Sequence, residues 1–209
     1  MAGAFKASAE VLLAAEKDSV SHRELPTCFL LRHATELFLK SAIVVAHRAF
    51  VGTGADYPAV LVGGKSRPMT NVHGVGALYA ALVGILTEHE TELKKRARTA
   101  WLPMPDELDK AIGEIEAMDE RGVFFRYPTE RNEAKSVNKP MTAEELAGWD
   151  GDQRGPLKAL VMVNNDDEIV QAYRYDPNLL TAELAALQVA CDWLNSIHVG
   201  LRMELAGGR

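Results

Sequence analysis

Arg32, Glu36 and Lys40 follow one another every four residues, with His33 beside the first of them. They interrupt a segment, residues 27–47 (TCFLLRHATELFLKSAIVVAH), that is otherwise Phe, Leu, Ile, Val and Ala. Spacing of four puts Arg32, Glu36 and Lys40 on one stripe of a helix. A helix that is apolar on most sides is buried, and charges on it need partners or a wet cleft. Two chemistries follow. A cleft would let an arginine hold a phosphate bidentately and let His33 move a proton near neutral pH. A sealed interior would make the same residues a buried ion network, with Glu36 and Lys40 in the favourable order for a helix pair.

A second charged island lies in residues 114–128 (EIEAMDERGVFFRYP). Asp119 and Arg126 are candidates to join the first group, either as ligand-facing residues or as members of the network. Tyr127 precedes Pro128 and is therefore extended, so the chain leaves its helix there. Flanking aromatics would bury the Arg126 stem and aim its guanidinium inward, or simply staple the loop to the helices. His73 opens a helix after Asn71, where it could donate to an anion near a helix N-terminus or bond the backbone.

Other chemistries are poorly served. Gly63-Gly64-Lys65-Ser66 lacks the glycine of a phosphate-binding loop, since Ala59 stands four residues before Gly63, and Arg67-Pro68 follows where a helix is needed. His22 and His47 have no neighbours at metal-ligand spacing, and no paired Cys or His motif exists, so neither metal nor cofactor is expected. Asp166, Asp167 and Glu168 read as a turn rather than a cation site. Cys28 and Cys191, the two cysteines, sit at apolar helical positions, as small buried hydrophobes do. His89 and His198 lie on apolar stripes and read as core histidines.

The elements that must position these residues come from periodicity. Residues 4–17, from Pro26 to about Phe50, 75–99 and the stretch after Asp176-Pro177-Asn178 read as four long helices. The last carries the seam Leu180, Leu184, Leu187, Cys191, Leu194, His198 and Leu201. The basic run Lys94, Lys95, Arg96 and Arg98 reads as a solvated helix end that complements its own dipole. A short acidic helix starts at Asp106, with Gly122 at its C-cap. Residues 51–73 form a loop, given Gly52, Gly54, Gly63, Gly64, Pro58 and Pro68. Residues 129–176 form an irregular insertion. Thr142 and Glu145 have capping-box spacing in it, and LKALVMV and EIVQAYRY flank Asn164-Asn165-Asp166-Asp167 as a β-hairpin. The expected fold is mainly α: one domain over residues 1–209, an up-and-down helical bundle of four long helices plus short ones, with an inserted β-hairpin.

With 209 residues, 47% of them hydrophobic, the chain can bury a good core. A net charge of −6 argues against gripping nucleic acid by overall charge, though not against a local basic patch. Lys6, Glu10, Glu16 and Lys17 interrupt the N-terminal apolar run, and no apolar span is long enough for a bilayer, so a cytoplasmic protein with no membrane contact is expected.

RHATELFLK in the second helix, the His opening VHGVGALYAAL, and the pattern Asp119, Gly122, Phe125, Arg126, Tyr127, Pro128 together resemble HEPN-like bacterial proteins (higher eukaryotes and prokaryotes nucleotide-binding). The resemblance covers roughly residues 25–130, plus the closing helix by position. It implies a helical bundle that pairs into homodimers. It also implies a role among RNA-targeting toxins of toxin–antitoxin pairs, phage-defence proteins, or non-catalytic relatives that bind nucleotides, RNA or partner proteins. Active members carry Arg, four to six residues, then His, and cut RNA without metal at a dimer cleft. Arg67 and His73 fit that spacing, with Pro68 where a polar residue is usual; Arg131-Asn132 starts the motif, but Ser136, Val137 and Asn138 fill the His positions. Three functions are therefore expected in order: binding at Arg32, His33, Glu36, Lys40, His73, Asp119, Arg126 and Tyr127; metal-independent RNA cleavage by Arg67 and His73; and docking of a protein partner through the hairpin and the acidic helix.

Overall fold

The computed structural model describes residues 1–15, 23–52, 54, 56–119, 138–142, 144–145, 159–175 and 180–208. Among these it is mainly helical, with small antiparallel sheets. The chain divides into two compact units, Met1–Arg126 with Ala182–Arg209, and Tyr127–Thr181.

In the first unit, helix α1 (Ala2–Ala14) packs on α2 (Glu24–Phe50), α2 packs on α3 (Val75–Glu88), and α3 packs on α5 (Asp106–Asp119). Pro26 falls in the first turn of α2, where its missing N–H has no intrahelical partner to lose. Twelve residues of α2 are buried, including Cys28, Leu31, Ala34, Phe38, Leu39, Ala42, Ile43 and Ala46. Most of its other residues are only partly exposed, which is why this helix shows so weak an amphipathic pattern. The core is completed by Leu78, Leu82 and Leu86 of α3, Leu108 and Ile115 of α5, and Leu187, Leu194 and Leu201 of α6 (Thr181–Ala206).

The helix expected over residues 75–99 is two. The chain breaks at His89, whose backbone leaves helical geometry (φ −105°, ψ 21°), and resumes as α4 (Glu90–Arg96). The His89 ring stacks on Phe50 with centroids 4.7 Å apart, so the break is held by an aromatic contact with the end of α2.

Residues 51–73, expected to be a loop, contain a β-hairpin: β1 (Ala59–Val62) pairs antiparallel with β2 (Lys65–Pro68). Gly63 and Gly64 connect them with φ of 56° and 75°, a two-residue turn that glycine enters without strain. Only Val60 of β1 is fully buried, and β1 lies against α3. A 3-10 turn (Met69–Asn71) then leads to α3, with Met69 and Val72 buried beneath it.

The C-terminal carbonyls of the helices are closed by arginines from elsewhere. Arg23, at the start of α2, donates to the carbonyls of Leu13 and Ala15 at the end of α1. Arg96, the last residue of α4, donates to the Ala49 carbonyl of α2 at 2.7 Å and to the Leu205 carbonyl of α6 at 2.9 Å, and its guanidinium lies over the Phe50 ring. The basic run thus does more than complement its own helix: Arg96 joins the ends of the two longest helices. Beyond α4, Trp101 sits against α6 at Gly200, where a Cβ would run into its ring. Its indole N–H donates to Glu204, which also accepts from the Thr99 hydroxyl.

In the second unit, β3 (Asn138–Met141), β4 (Ala159–Val163) and β5 (Ile169–Tyr175) form a three-stranded antiparallel sheet in the order β3-β5-β4. The expected hairpin is β4–β5, turning through residues 164–168 with Asp167 left-handed at φ 60°. Asn164 holds the turn by accepting from the N–H groups of Asp166 and Glu168. Strand β3 has no counterpart in the sequence reading, whereas Thr142 and Glu145 form the expected capping box, each side chain accepting from the other's backbone N–H.

Candidate functional site

Glu36 is the hub of the polar group on α2. Its Oε1 accepts from Lys40 Nζ at 2.9 Å and meets His73 Nδ1 at 3.0 Å, while its Oε2 lies 3.4 Å from Arg32 NH1. Arg32 NH2 makes the tighter bond, 2.5 Å to the backbone carbonyl of His73, and Lys40 reaches the Thr70 carbonyl at 3.4 Å. Arg32 and Glu36 are 4% and 5% exposed, but the His73 side chain is 56% exposed. The site is therefore an ion cluster whose buried members face one another and whose only strongly open member is the histidine.

Sequence and geometry meet here in a simple way. The four-residue period aligns Arg32, Glu36 and Lys40 on one stripe, and the 3-10 turn before α3 lays the Thr70 and His73 carbonyls across it. The carboxylate offsets part of the positive charge of Arg32 and Lys40, and the two carbonyls accept one further bond from each, which lowers the cost of burying them. Burial pushes the Glu36 carboxyl up, but the hydrogen bond and charge of Lys40, the His73 hydrogen bond and the Arg32 charge outweigh it, so it stays ionised below the usual carboxylate range.

The start of α3 has its anion already. Gly76 N–H donates to Glu116 Oε2 of α5 at 2.8 Å, so a protein carboxylate occupies the helix terminus that was a candidate phosphate seat beside His73. One turn on, the Tyr79 hydroxyl donates to Asp109; burial first, and then that carboxylate, push the phenol's pKa up and keep it protonated.

His33 belongs to a different face. Its ring meets Phe5 of α1 edge-on at 4.5 Å and lies parallel to Phe29 at 6.2 Å, so it serves the α1–α2 contact and sits apart from the Glu36 stripe. Arg67 stands on exposed β2, in register with Val60. Asp119 ends α5, with its side chain outside the described residues, and Arg126 and Tyr127 lie outside them altogether. Of the eight residues named as ligand-binding, the structure brings Arg32, Glu36, Lys40 and His73 together. What sequence reasoning missed are the carbonyls of Thr70 and His73 and the carboxylate of Glu116; backbone acceptors carry no side-chain signature, and Glu116 lies 40 positions from its partner.

Both cysteines are free and buried, and burial chiefly pushes each thiol's pKa up to about 12, so neither is poised as a nucleophile. His47 Nε2 bonds the Asp56 carbonyl at 2.9 Å, holding the loop after α2. Among the described residues, no cluster of three or more His, Cys, Asp or Glu could hold a metal, and no helix is long and apolar enough to cross a membrane.

His198 packs against Phe38 at 5.9 Å with Nδ1 buried and without a hydrogen-bond partner among the described residues. Burial, and then the charges of Arg202 and the amino terminus, hold its pKa below the ordinary 6.5. A group depressed in the folded state is protonated first in the unfolded chain. Stability is therefore full above about pH 6.5 and falls as acid drives protons onto the unfolded chain. Glu36 is depressed likewise, and its contribution is lost below about pH 4.5. Urea titrations between about pH 7.5 and 4 should show two successive losses of stability, with His198→Gln removing the upper one and leaving the lower.

Set against family models, curated proteins and solved structures, the chain has no significant match in any of the three comparisons.

Proposed function

We propose that this chain is a HEPN-like protein, an up-and-down bundle of four long helices with an inserted β-hairpin, that works in a bacterial stress or defence setting by binding a nucleotide or RNA as a cytoplasmic homodimer. The observation that carries binding over catalysis is the closure of the Glu36 cluster. Its arginine and lysine are committed to Glu36 and to backbone carbonyls, and its histidine nitrogen is held by the same carboxylate. General acid–base chemistry on a phosphodiester needs such groups aimed at substrate rather than at each other. The exposed His73 edge and the basic segment before it are the surfaces left for a ligand.

The test is a thermal-shift series with nucleotides and with single-stranded RNA, run beside labelled RNA incubated in EDTA. The expected result is a rise in Tm, about 2.7 kcal/mol of stabilisation at a hundredfold excess over Kd, with the RNA left intact. Cleavage in EDTA that disappears in His73→Ala would replace this reading with the ribonuclease one. That reading draws on one observation: Arg67 and His73 are both exposed and flank a single 3-10 turn. Silence from both ligands would leave the protein-partner reading, tested by pulldown.

A further inference from the structure

We infer that the β1–β2 hairpin and the loop before it form a grip for single-stranded RNA, with Lys65 and Arg67 on the phosphates and Tyr57 under a base. The inference rests on the binding reading above and gives it a location.

Charge is distributed unevenly. Between residues 48 and 67 the chain carries Arg48, Lys65 and Arg67 against one acid, Asp56, although its total charge is −6. The pairing of Val60 with Arg67 and of Val62 with Lys65 sets both cations on the sheet face that carries the buried Val60, at its exposed β2 edge, about 6.8 Å apart by the two-residue repeat of a strand. That separation is comparable to neighbouring phosphates along an extended single strand. All four residues of β2 are exposed, and among the described residues neither Lys65 nor Arg67 meets a carboxylate.

The other basic run behaves differently. Lys94 pairs with Glu90 at 2.6 Å, Lys95 lies 3.9 Å from Glu92, and Arg96 closes helix ends. Its charges are spent within the fold, whereas those of the hairpin are not.

An exposed aromatic ring lies in the segment just before β1. Tyr57 is 57% exposed, with the Arg48 guanidinium 5.7 Å from its ring centroid. The His47 bond to the Asp56 carbonyl anchors the loop that carries it. A cation stacked on one ring face, with much of the ring still open, is the arrangement on which bases stack irrespective of sequence. This feature favours nucleic acid over an acidic peptide, which would use the cations but not the ring. The Gly63-Gly64 tip adds no side chains to obstruct a backbone passing over the hairpin.

The test is fluorescence anisotropy of the full chain with a labelled single-stranded RNA of about twelve nucleotides, within the span that small single-strand-binding surfaces cover. The two phosphate contacts of Lys65 and Arg67 predict a log–log salt slope of about −1.4. Lys65→Glu with Arg67→Glu should weaken binding by about tenfold or more and flatten that slope, and Tyr57→Ala should weaken it by about tenfold. Asp56→Asn should tighten it a few-fold, a gain that damage to the fold would not produce. Lys94→Gln with Lys95→Gln should leave it unchanged. RNA binding indifferent to the hairpin changes would overturn the inference while leaving the binding reading intact. Competition by polyglutamate equal to that by RNA, with Tyr57→Ala silent, would overturn it in favour of an acidic protein partner. No RNA binding at all would also overturn it, and nucleotide thermal shifts would then judge the broader reading separately.

Discussion

Glu36→Ala is expected to lower the unfolding free energy by about 3–5 kcal/mol, the usual cost of stripping a buried cation of its counter-charge. Arg32, 4% exposed, would keep its bond to the His73 carbonyl but lose the Glu36 carboxylate, and Lys40 and His73 would lose their shared acceptor. For a chain of this size the Tm should fall by about 6–20 °C. The double variant Arg32→Met, Glu36→Leu should recover more than half of that loss, because an apolar pair of similar volume needs no compensation. Urea unfolding of the unaltered chain, Glu36→Ala and the double variant measures this directly. A loss below about 1 kcal/mol for Glu36→Ala would mean that the cluster is hydrated and open, and would reopen the reading of these residues as a ligand pocket.

Arg96→Ala should cost about 3 kcal/mol, or about 6–12 °C in Tm. Each hydrogen bond from a charged donor is worth about 1.5–3 kcal/mol, reduced here because the Ala49 side of the fork faces solvent. Two helix ends would lose the cation that complements their dipoles, and Phe50 would lose its stacked guanidinium. Arg96→Lys should restore less than half. An ammonium keeps the charge but lacks a planar fork able to serve carbonyls from two helices at once. Full rescue by lysine would show that charge alone sustains the contact.

Much of the polar cluster was legible in advance, because a carboxylate between two cations at spacing four on an apolar helix has few physical outcomes. Thr142 with Glu145, and the Asn and Asp run of the β4–β5 turn, were legible for the same reason: the side chains that make the bonds are the ones that mark the motif. The β1–β2 hairpin is harder to see, since the glycine density of residues 51–73 excludes a helix without marking which short runs pair. Val60-Leu61-Val62 before Gly63-Gly64 is its one local signal, a short β-prone run ending in a two-glycine turn. The break at His89 left no trace because apolar residues keep helical spacing from Leu86 to Leu93 across it. Arg96 was placed at a helix end, but its partners are carbonyls 47 and 109 residues away, and no local pattern points at a backbone oxygen.

The seat of Trp101 against Gly200 carries a consequence for the order of assembly. The indole, Thr99 and Arg96 all find their counterparts on the final helix, more than a hundred positions downstream. Contacts of such long sequence reach are closed late, after the chain's entropy has been reduced by nearer ones. During synthesis, at roughly 5–20 residues per second, the middle of the polypeptide therefore waits several seconds with a bare indole before its closing segment leaves the ribosome.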